Sequence, residues 1–472
     1  MNLLLINPPM DYNLIKKEYS FEAYMPPLGL LYLASPLEKK GHKVTLIDFI
    51  AEKYDEEKLK KEVLKVDIIG ITITSQVASS AKKIVDLIKR FQKNKIIIIG
   101  GPHCTIQKEK VLEEINADIA VIGDGEKVII EIVEALKEKK DLSNIHGIFY
   151  RHLGEIKSGL PPIEIEDLDS LDFPDRSLIK HYSYGKKTIS GVTFFAKGKI
   201  TTIITTRGCP FNCRFCVSKT LFKKCRLRTA ENVVNELVEI SKDYDSVFVV
   251  DDNFLIDKKR AYKIMDLLIE KKLDLDIWIS GVRVTDADEE LFKKMKKAGV
   301  KSLEFGIESG NQDVLDYYNK KITLEQVKKA VKLSKKIGFL TVGNFILGAP
   351  IETDKHIKDT VLFAKKLNLD FAFFYGFYFL KGSELWEEAY NQGKIKENEM
   401  FIQCDSRRGL CHFTPEELRK KLHTAVVSYY ITPKYIISQF IRSIFIYKHF
   451  RVFKAGLKLL IEQKEETLFA NR

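Results

Sequence analysis

"TTRGCPFNCRFC", residues 205–216, places Cys209, Cys213 and Cys216 within eight positions of a chain that has seven cysteines among its 472 residues. The cysteines follow the run "ITTIITT" (200–206), which has the composition of a buried strand. The three thiols are therefore expected on a loop at the carboxyl end of a strand, where cysteines that simply pack in a core would not cluster. Thiolate clusters bind zinc or iron–sulfur centres, and a disulfide is a further alternative.

The number of thiols helps to separate these alternatives. Seven cysteines is an odd number, so they cannot all pair in disulfides within the chain. We expect a cytoplasmic, reducing location, where clustered thiols indicate a metal site rather than a disulfide. Structural zinc takes four ligands; Cys225 is the candidate for a fourth, and no histidine follows until His356. Three thiolates on a four-iron cluster leave one iron open to a substrate or cofactor. The spacing favours an iron–sulfur centre and leaves zinc as the alternative.

The composition is that of a globular protein with sizeable cores, since 45% of the residues are hydrophobic and 30% are charged. The net charge of +12 comes mainly from lysines on helix-like stretches, which indicates a solvated surface, with attraction to anionic lipid or nucleic acid as the alternative. The N-terminal stretch lacks the pattern of a signal peptide. The most apolar windows, such as residues 371–380, are about half as long as a membrane span. We expect a cytoplasmic protein without a transmembrane helix.

The first 150 residues alternate short apolar runs with amphipathic, helix-like stretches. The runs, interpreted as buried parallel strands, are "NLLLINPP", "KVTLIDF", "DIIGITIT", "KIIIIGGPH", "ADIAVIGDGE" and "GIFY". This alternation predicts a doubly wound, Rossmann-like α/β domain over residues 1–145. Ligands of such sheets bind beyond the carboxyl ends of the strands, where the loops "ITSQ", "GGPHCT" and "GDGE" offer small residues for close backbone contact.

The pattern changes after this domain. The stretch "SGLPPIEIEDLDSLDFPDR" is acidic and contains prolines, and we interpret residues 146–198, in which it lies, as an interdomain linker with little regular structure. Six β/α units then follow in series over residues 199–395, which predicts a partial (β/α)6 barrel with its active site at the carboxyl ends of the strands. "TLEQ" (323–326) and "TPEE" (414–417) are typical helix starts. Residues 396–472 are predicted to form a helical C-terminal domain.

The cysteine motif resembles the signature of radical S-adenosylmethionine (SAM) enzymes, C-x3-C-x2-C with an aromatic residue, Phe215, before the last cysteine. "VFVVDDNF" (247–254), "GIESGNQDVLDYYNKKIT" (306–323) and "NFILGAPIET" (344–353) are similar to later segments of that family. "PPLGLLYLASPLEKKGHKVTLID" (26–48), "GGPHCT" and "GDGE" resemble the cobalamin-binding domain that precedes the barrel in one branch. Together these stretches cover most of residues 1–400.

In the barrel, the resemblance implies a [4Fe–4S] cluster on Cys209, Cys213 and Cys216, with SAM at the open iron. Reductive cleavage of SAM there would give a 5′-deoxyadenosyl radical, which abstracts hydrogen from an unactivated carbon. Candidates to hold the ammonium, carboxylate and ribose of SAM are Asp251, Asp252, Ser280, Arg283, Glu308 and Ser309. Each acid could instead cap a helix or be solvated, and Arg283 could be a surface residue.

In the N-terminal domain, the resemblance implies cobalamin. The D-x-H-x-x-G motif, which supplies an axial histidine in other cobalamin proteins, is absent, so base-off binding without a histidine ligand is implied. The candidates for contact with the corrin or its nucleotide tail are Ser75, Gly100, Gly101, Pro102, His103, Gly123, Asp124, Gly125 and Glu126. A bond from His103 to the backbone is an equal alternative.

Methyl transfer to an unactivated carbon is the leading reaction, with oxidative cyclisation or carbon–carbon coupling as the alternative. The aromatic run at 371–379 and the C-terminal helices suggest a bulky apolar substrate, such as a lipid, isoprenoid or tetrapyrrole. The alternative, which we favour for the aromatic run, is that it forms barrel core and that the C-terminal helices pack on the barrel. Basic residues interleave with aromatics over 432–460, which adds peripheral contact with the inner face of the membrane as an expectation. An electron donor such as ferredoxin or flavodoxin is implied, and no nucleic acid is expected.

A methylthiotransferase would need three more cysteines in the N-terminal domain, where only Cys104 lies.

Overall fold

The computed structural model describes residues 1–10, 25–184 and 196–445; of Lys434 and residues 442–445 it describes the backbone alone. Contacts divide the chain into two compact units. Unit 1 comprises Met1–Thr188 and Leu221–Arg226, and unit 2 comprises Ile189–Thr220 and Leu227–Arg472. This differs from the predicted division, because most of the expected linker belongs to unit 1 and the C-terminal helices belong to the same unit as the barrel.

Unit 1 is built on one seven-stranded sheet, in the order β2-β1-β3-β4-β5-β6-β7. Its strands are β1 (Asn2–Asn7), β2 (Lys43–Asp48), β3 (Ile68–Thr72), β4 (Ile96–Gly100), β5 (Ile119–Val121), β6 (Ile148–His152) and β7 (Glu155–Ser158). Strands β1–β5 are parallel, whereas β6 and β7 are antiparallel to their neighbours. The prediction of a parallel strand at "GIFY" was therefore wrong, and the start of the expected linker extends the sheet.

Helices cover both faces of this sheet. They are α1 (Leu28–Lys39), α2 (Glu56–Leu64), α3 (Ala78–Phe91), α4 (Pro102–Gln107), α5 (Lys110–Glu114) and α6 (Glu126–Glu138). Side chains of β1 alternate between two cores, because successive residues of a strand point to opposite faces. Leu4 and Ile6 lie in one core, and Leu3 and Leu5 lie in the other. The doubly wound α/β prediction is confirmed.

Unit 2 contains a six-stranded parallel sheet in the order β15-β14-β13-β12-β11-β8. These strands are β8 (Ile200–Ile203), β11 (Ser246–Val249), β12 (Asp276–Val282), β13 (Val300–Glu308), β14 (Leu340–Leu347) and β15 (Phe371–Gly376). Their spatial order follows the chain order, as expected for β/α units wound in one direction. The predicted partial barrel is confirmed. The short strands β9 (Thr206–Arg207), β10 (Arg226–Leu227), β16 (Tyr378–Leu380) and β17 (Phe401–Gln403) were not predicted as separate elements.

The remaining helices are α7 (Ser218–Leu221), α8 (Ala230–Ile240), α9 (Lys258–Lys271), α10 (Glu289–Lys297), α11 (Gln312–Tyr317), α12 (Leu324–Ile337), α13 (Asp354–Leu367), α14 (Glu384–Asn391), α15 (Pro415–Tyr430) and α16 (Pro433–Phe445). Capping boxes begin α12 at Thr323 and α15 at Thr414, as the sequence predicted. Within the described residues, no helix combines the length and the apolar character that crossing a bilayer requires.

A buried ion pair fixes residues 221–226 in unit 1. Arg226 is paired with Asp124, and each side chain is only 4% exposed. The guanidinium of Arg226 also donates to the carbonyl of Ile165 at 2.7 Å, and the backbone N–H of Ile165 donates to Asp124 at 2.9 Å. Because both charges are desolvated, each depends on the other for compensation.

Replacing Asp124 with Asn should leave the Arg226 charge buried without its counter-charge. We expect the free energy of unfolding, measured by urea titration of the full chain, to fall by about 3 kcal/mol. Lys224→Met is the matched control, because the Lys224–Glu166 pair is exposed and should contribute less than about 1 kcal/mol. Equal effects of the two substitutions would contradict a structural role for the buried pair.

Candidate active site

The three clustered cysteines lie on the loop that follows β8 and β9. Cys209 and Cys213 are half-buried and Cys216 is exposed. The backbone N–H of Cys216 donates to the carbonyl of Cys213 at 3.0 Å, which closes a tight turn between them. Gly208 has φ of +82°, a conformation that favours glycine, and it turns the chain into the loop.

The thiols are close enough to influence one another. Burial, followed by the charges of Asp252 and Cys213, raises the pKa of Cys209. Although Cys216 is exposed as a residue, desolvation of its thiol, with Asp252 and the two other cysteines, raises its pKa to about 11. Among the described residues, no group of three or more potential ligands is arranged to hold a metal ion. Cysteine thiolates are the usual ligands of iron–sulfur clusters, and three cysteines lie on this one loop.

Buried polar groups hold the start of this loop. Asp251 accepts hydrogen bonds from the backbone N–H groups of Thr205 and Thr206, at 2.6 and 3.1 Å, and from the hydroxyl of Thr205. Arg260 donates to the carbonyl and hydroxyl oxygens of Thr205, at 3.0 and 2.6 Å. Asp251 was predicted as a SAM ligand; instead, its carboxylate is engaged by the loop, so it positions the cysteines.

Aromatic rings pack around the same loop. Phe215 contacts the ring of Tyr318 edge-on at 4.9 Å between centroids, and Tyr318 stacks on Phe377 at 5.9 Å. The guanidinium of Arg283 lies 3.7 Å from the ring centroid of Phe211, a favourable cation–π distance. One side of the loop therefore packs against aromatic rings, and the guanidinium of Arg283 lies against Phe211 of the loop.

An ion pair at the end of β13 faces this loop region. Lys320 donates to Glu308 at 2.6 Å, and the two side chains are 9% and 10% exposed. Glu308 has φ of +67°, a strained conformation for a residue with a side chain. A Cβ at Gly306 would lie 2.7 Å from Oε1 of Glu308, so only glycine leaves room for this carboxylate. Such strain and close packing are typical of functional positions.

Two further predicted SAM ligands lie near the cysteine loop. Asp252 is exposed, accepts from the hydroxyl of Ser218 at 2.6 Å and lies near the thiols. Arg283 is buried and donates through Nη2 to the carbonyl of Lys320, while its Nε has no partner in the described part of the chain. Asp252, Arg283, Glu308 and Lys320 are therefore the polar groups that could hold an amino acid and a ribose beside the cluster.

The two predicted serines have other roles. The hydroxyl of Ser280 donates to the carbonyl of Val249 at 2.8 Å. Ser309 is fully buried and bonds to Thr360 and Asn311. Both hydroxyls are therefore engaged by other groups of the protein, and their contact with SAM stays a prediction.

The carboxyl edge of the sheet in unit 1 contains the predicted cobalamin residues. Gly101 has φ of +107°, and a Cβ there would lie 2.8 Å from the carbonyl of Ile73. Thr105 links the two glycine loops, because its hydroxyl donates to the carbonyl of Gly101 and accepts from the N–H of Gly123. Pro102 and Gly123 are exposed, and Gly100, Gly101, Gly125 and Ser75 are half-buried. This edge is a cradle of small, partly exposed residues that fits a large planar ligand.

Three polar residues of that prediction are turned inward. His103 is 1% exposed, and its ring nitrogens lie 3.3 Å from Ser75 Oγ and 3.1 Å from Glu114 Oε2. Asp124 is held by Arg226, and Glu126 is buried at the start of α6. These side chains are engaged or buried inside the domain, which leaves ligand contact to the backbone and small residues.

The other cysteines are apart from the cluster loop. Cys104 is fully buried, in agreement with a packing role, and Cys225 is half-buried. Cys404 and Cys411 form a disulfide, with their Cα atoms 5.7 Å apart. This disulfide was not predicted, because a cytoplasmic location was expected to disfavour disulfides.

Sequence reasoning also missed Lys320, Arg260 and Tyr318. Lys320 and Tyr318 lie inside the stretch that resembled the family, yet nothing distinguishes one lysine among 77 basic residues. Glu308, the partner of Lys320, is only 12 residues away in the same stretch, whereas Phe215, the partner of Tyr318, is about a hundred residues away. Neither contact has a signal in the sequence, because each depends on how the turn after α11 packs against β13 and the cysteine loop.

Comparisons with known proteins agree with this arrangement. The model of the radical SAM superfamily matches residues 203–364, and that of the B12 binding domain matches residues 19–133. The chain is 34% identical to an uncharacterised methyltransferase of Pyrococcus horikoshii, over 93% of this chain and 94% of that protein. The chain belongs to the radical SAM superfamily. It is a member of the branch that carries a B12-binding domain ahead of the radical SAM domain.

Two other likenesses extend the comparison. The chain is 30% identical to the anaerobic magnesium-protoporphyrin IX monomethyl ester cyclase of Rubrivivax gelatinosus, over 74% of this chain and 63% of the cyclase. The solved structure of the radical SAM methyltransferase TsrM from Kitasatospora setae, with cobalamin and a [4Fe–4S] cluster bound, covers 92% of this chain and 89% of its own. Its TM-score is 0.71 at 16% identity, which shows a shared fold.

Removing one thiol of the cluster should abolish SAM cleavage. We expect anaerobically reconstituted Cys213→Ala to lose iron and to form no 5′-deoxyadenosine under reducing conditions. Cys225→Ala is the control, because that thiol lies outside the motif, and it should keep both properties. Persistent 5′-deoxyadenosine formation by Cys213→Ala would refute the cluster assignment.

Replacing Lys320 with Met removes a cation and leaves the Glu308 carboxylate buried without its partner. We expect the affinity for SAM, measured by equilibrium binding to the reconstituted protein, to fall at least tenfold, or about 1.4 kcal/mol. Lys321→Met is the matched control, since Lys321 is exposed and adjacent. Equal SAM affinities of the two variants, both with normal thermal unfolding, would remove Lys320 from the site.

Proposed function

We propose that the protein is a cobalamin-dependent radical SAM methyltransferase that acts on an unactivated carbon of a bulky apolar substrate. The observation that carries the proposal is the pairing of the three-cysteine loop with the Glu308–Lys320 ion pair at one edge of the barrel sheet, in a chain that also has a B12-binding domain. The methyltransferase of Pyrococcus horikoshii, similar over nearly the whole chain, supports the reaction type.

Cys209, Cys213 and Cys216 would hold a [4Fe–4S] cluster, with Asp251 and Arg260 fixing the start of their loop. When bound, the cluster and SAM supply a carbon radical, and cobalamin supplies a methyl group. The work of the chain is then to orient these groups and the substrate. The buried rings of Tyr318 and Phe377, with the half-buried ring of Phe215, would exclude water from one side of the loop.

The polar groups near the loop divide naturally among the parts of SAM. The cations Lys320 and Arg283 suit the methionyl carboxylate, because a buried carboxylate needs a charged or hydrogen-bonding partner. The carboxylates Asp252 and Glu308 suit the ammonium and the ribose hydroxyls. Arg283 has a buried Nε without a partner in the described residues, which is a donor available to an anionic ligand.

Cobalamin would lie on the carboxyl edge of the sheet in unit 1, against the loops of Gly101 and Gly123. The half-buried and exposed glycines allow close approach of a large ring. His103 bonds Glu114 inside the domain, which supports binding without a histidine ligand from this loop.

The last barrel strand supports an apolar substrate. Phe371, Phe373 and Tyr375 lie on one face of β15, because alternate residues of a strand share a face, and they pass from buried through half-buried to 53% exposed. Phe374 is buried on the other face. The aromatic run therefore belongs to the core at the start of the strand and becomes accessible on one face toward its carboxyl end. Oxidative cyclisation or carbon–carbon coupling is the second candidate, favoured by the 30% identity to a cyclase named for a tetrapyrrole ester.

We also infer a cytoplasmic location, peripheral contact with the inner face of a membrane, and a ferredoxin- or flavodoxin-type electron donor. The membrane contact is supported by the basic and aromatic composition of residues 432–460. The donor follows from the one-electron reduction that the cluster requires.

Anaerobic purification with cobalamin supplied, followed by an absorption spectrum, tests the cofactor content. We expect corrin bands together with iron–sulfur absorbance, and methylated product from a tetrapyrrole or isoprenoid panel. Iron without corrin would move the assignment to a cobalamin-independent radical enzyme. Retention of zinc at one equivalent, without iron, would reject both reactions.

A further inference from the structure

Helix α16 packs on unit 2 through one narrow face. The hydroxyl of Tyr435 donates to the carbonyl of Asp370 at 2.7 Å, and the amide of Gln439 lies 3.5 Å from the Asp370 carboxylate. Both side chains are buried. Asp370 immediately precedes β15, so the helix lies at the amino end of that strand.

The opposite face of α16 is apolar and exposed. Ile437 is 58% exposed and Ile441 is 49% exposed, with Ile436 and Phe440 beside them. Ile437 lies two positions from both Tyr435 and Gln439, which places it about 200° around the helix from each. A helix on a protein surface normally shows charged or polar residues there, and contiguous exposed apolar side chains mark an interaction surface.

The sequence of α16 and of the residues that follow it is basic. Residues 432–461 contain no Asp or Glu, and they contain six basic residues: Lys434, Arg442, Lys448, Arg451, Lys454 and Lys458. The net charge of the whole chain is +12, so this one segment accounts for half of it. An apolar surface within a cationic segment is complementary to an anionic bilayer.

A groove beside α16 adds a place for a polar head. It has a volume of about 250 Å³ and lies between the end of α13 and the junction of α15 and α16. Lys365, Lys366 and Asn368 line one side, and Thr432 and Tyr435 line the other. Two ammonium groups and several hydrogen-bonding groups next to an apolar surface suit a phosphate-bearing lipid headgroup.

We propose that the outer face of α16, formed by Ile436, Ile437, Phe440 and Ile441, docks on an anionic lipid bilayer, with the adjacent lysine groove taking a headgroup. This names the surface behind the proposed peripheral contact, and it does not depend on methyl transfer. It also sets an orientation. The docking face lies at the amino end of β15, whereas the cysteine loop and Glu308 follow the carboxyl ends of strands in the same parallel sheet.

The orientation has a functional consequence. Six residues of β15 separate the two ends of that strand by about 20 Å, so the bilayer does not face the cluster directly. The membrane therefore localises the enzyme, and the substrate reaches the cluster from the opposite end of the barrel strands.

Vesicle co-sedimentation of the full-length protein tests the surface. We expect binding to vesicles of phosphatidylcholine with about one-third phosphatidylglycerol, and at least tenfold weaker binding to phosphatidylcholine alone or in about 1 M salt. Ile437→Glu with Ile441→Glu should weaken binding to the anionic vesicles at least tenfold, because two apolar contacts are lost and two like charges face the lipid.

Leu153→Glu is the matched control, since Leu153 is 91% exposed in unit 1 and should leave binding unchanged. Equal binding of all variants, or no binding by the unsubstituted protein, would overturn the proposal. A concentration-dependent dimer that the isoleucine substitutions dissociate would overturn it in favour of a second copy on this face. A large drop in melting temperature for the isoleucine variant would show that the protein itself covers the face, and would also overturn it. Methyl transfer, assayed separately, is expected to survive the substitutions with a water-dispersed substrate.

Discussion

The bond between the Asp251 carboxylate and the start of the cysteine loop is the constraint on which the active site depends. Asp251 follows β11, and it accepts from two successive backbone N–H groups and a hydroxyl of Thr205 and Thr206. Burial raises its pKa, while the hydrogen bonds and the charge of Arg260 favour the ionised form. The carboxylate is thus kept in a buried position by its donors, and the loop cannot shift without leaving it unsatisfied.

The neighbouring residue, Asp252, has a different environment. Asp252 follows directly in the chain but is exposed beside the thiols, because Asp251 points into the protein and consecutive residues of extended chain point in opposite directions. One acid therefore supports the loop and the other is available to a ligand. Gly281 makes this possible, since a Cβ there would lie 2.1 Å from the carbonyl of Asp251. Glu308 and Lys320 complete the site from β13 and the turn after α11.

Features that arise from local sequence were predicted well. The strand–helix alternation, the capping boxes at Thr323 and Thr414, and the loop position of the cysteines all follow from residues close together in the chain. Features that depend on tertiary contacts were not. The contacts of Asp251 with Thr205 and of His103 with Glu114 have no signal in the sequence, and neither has the antiparallel direction of β6. The Glu308–Lys320 ion pair and the Cys404–Cys411 disulfide join residues that are only 12 and 7 positions apart, but nothing in the local sequence indicates that these side chains meet.

Parallel strands give unit 2 two chemically different ends. All six carboxyl ends lie on one edge, which gathers the cysteines, Asp252, Arg283 and Glu308 although they are up to about a hundred residues apart in the chain. The amino end of β15 instead meets the tyrosines of α15 and α16 through the carbonyls of Leu369 and Asp370. These hydrogen bonds place the end of α15 and the start of α16 at the amino end of β15. The start of α15 lies at the other end, since a Cβ at Gly348, which follows β14, would lie 2.7 Å from Leu418. The apolar face of α16 is thereby kept at the end of the strand that is away from the cysteine loop.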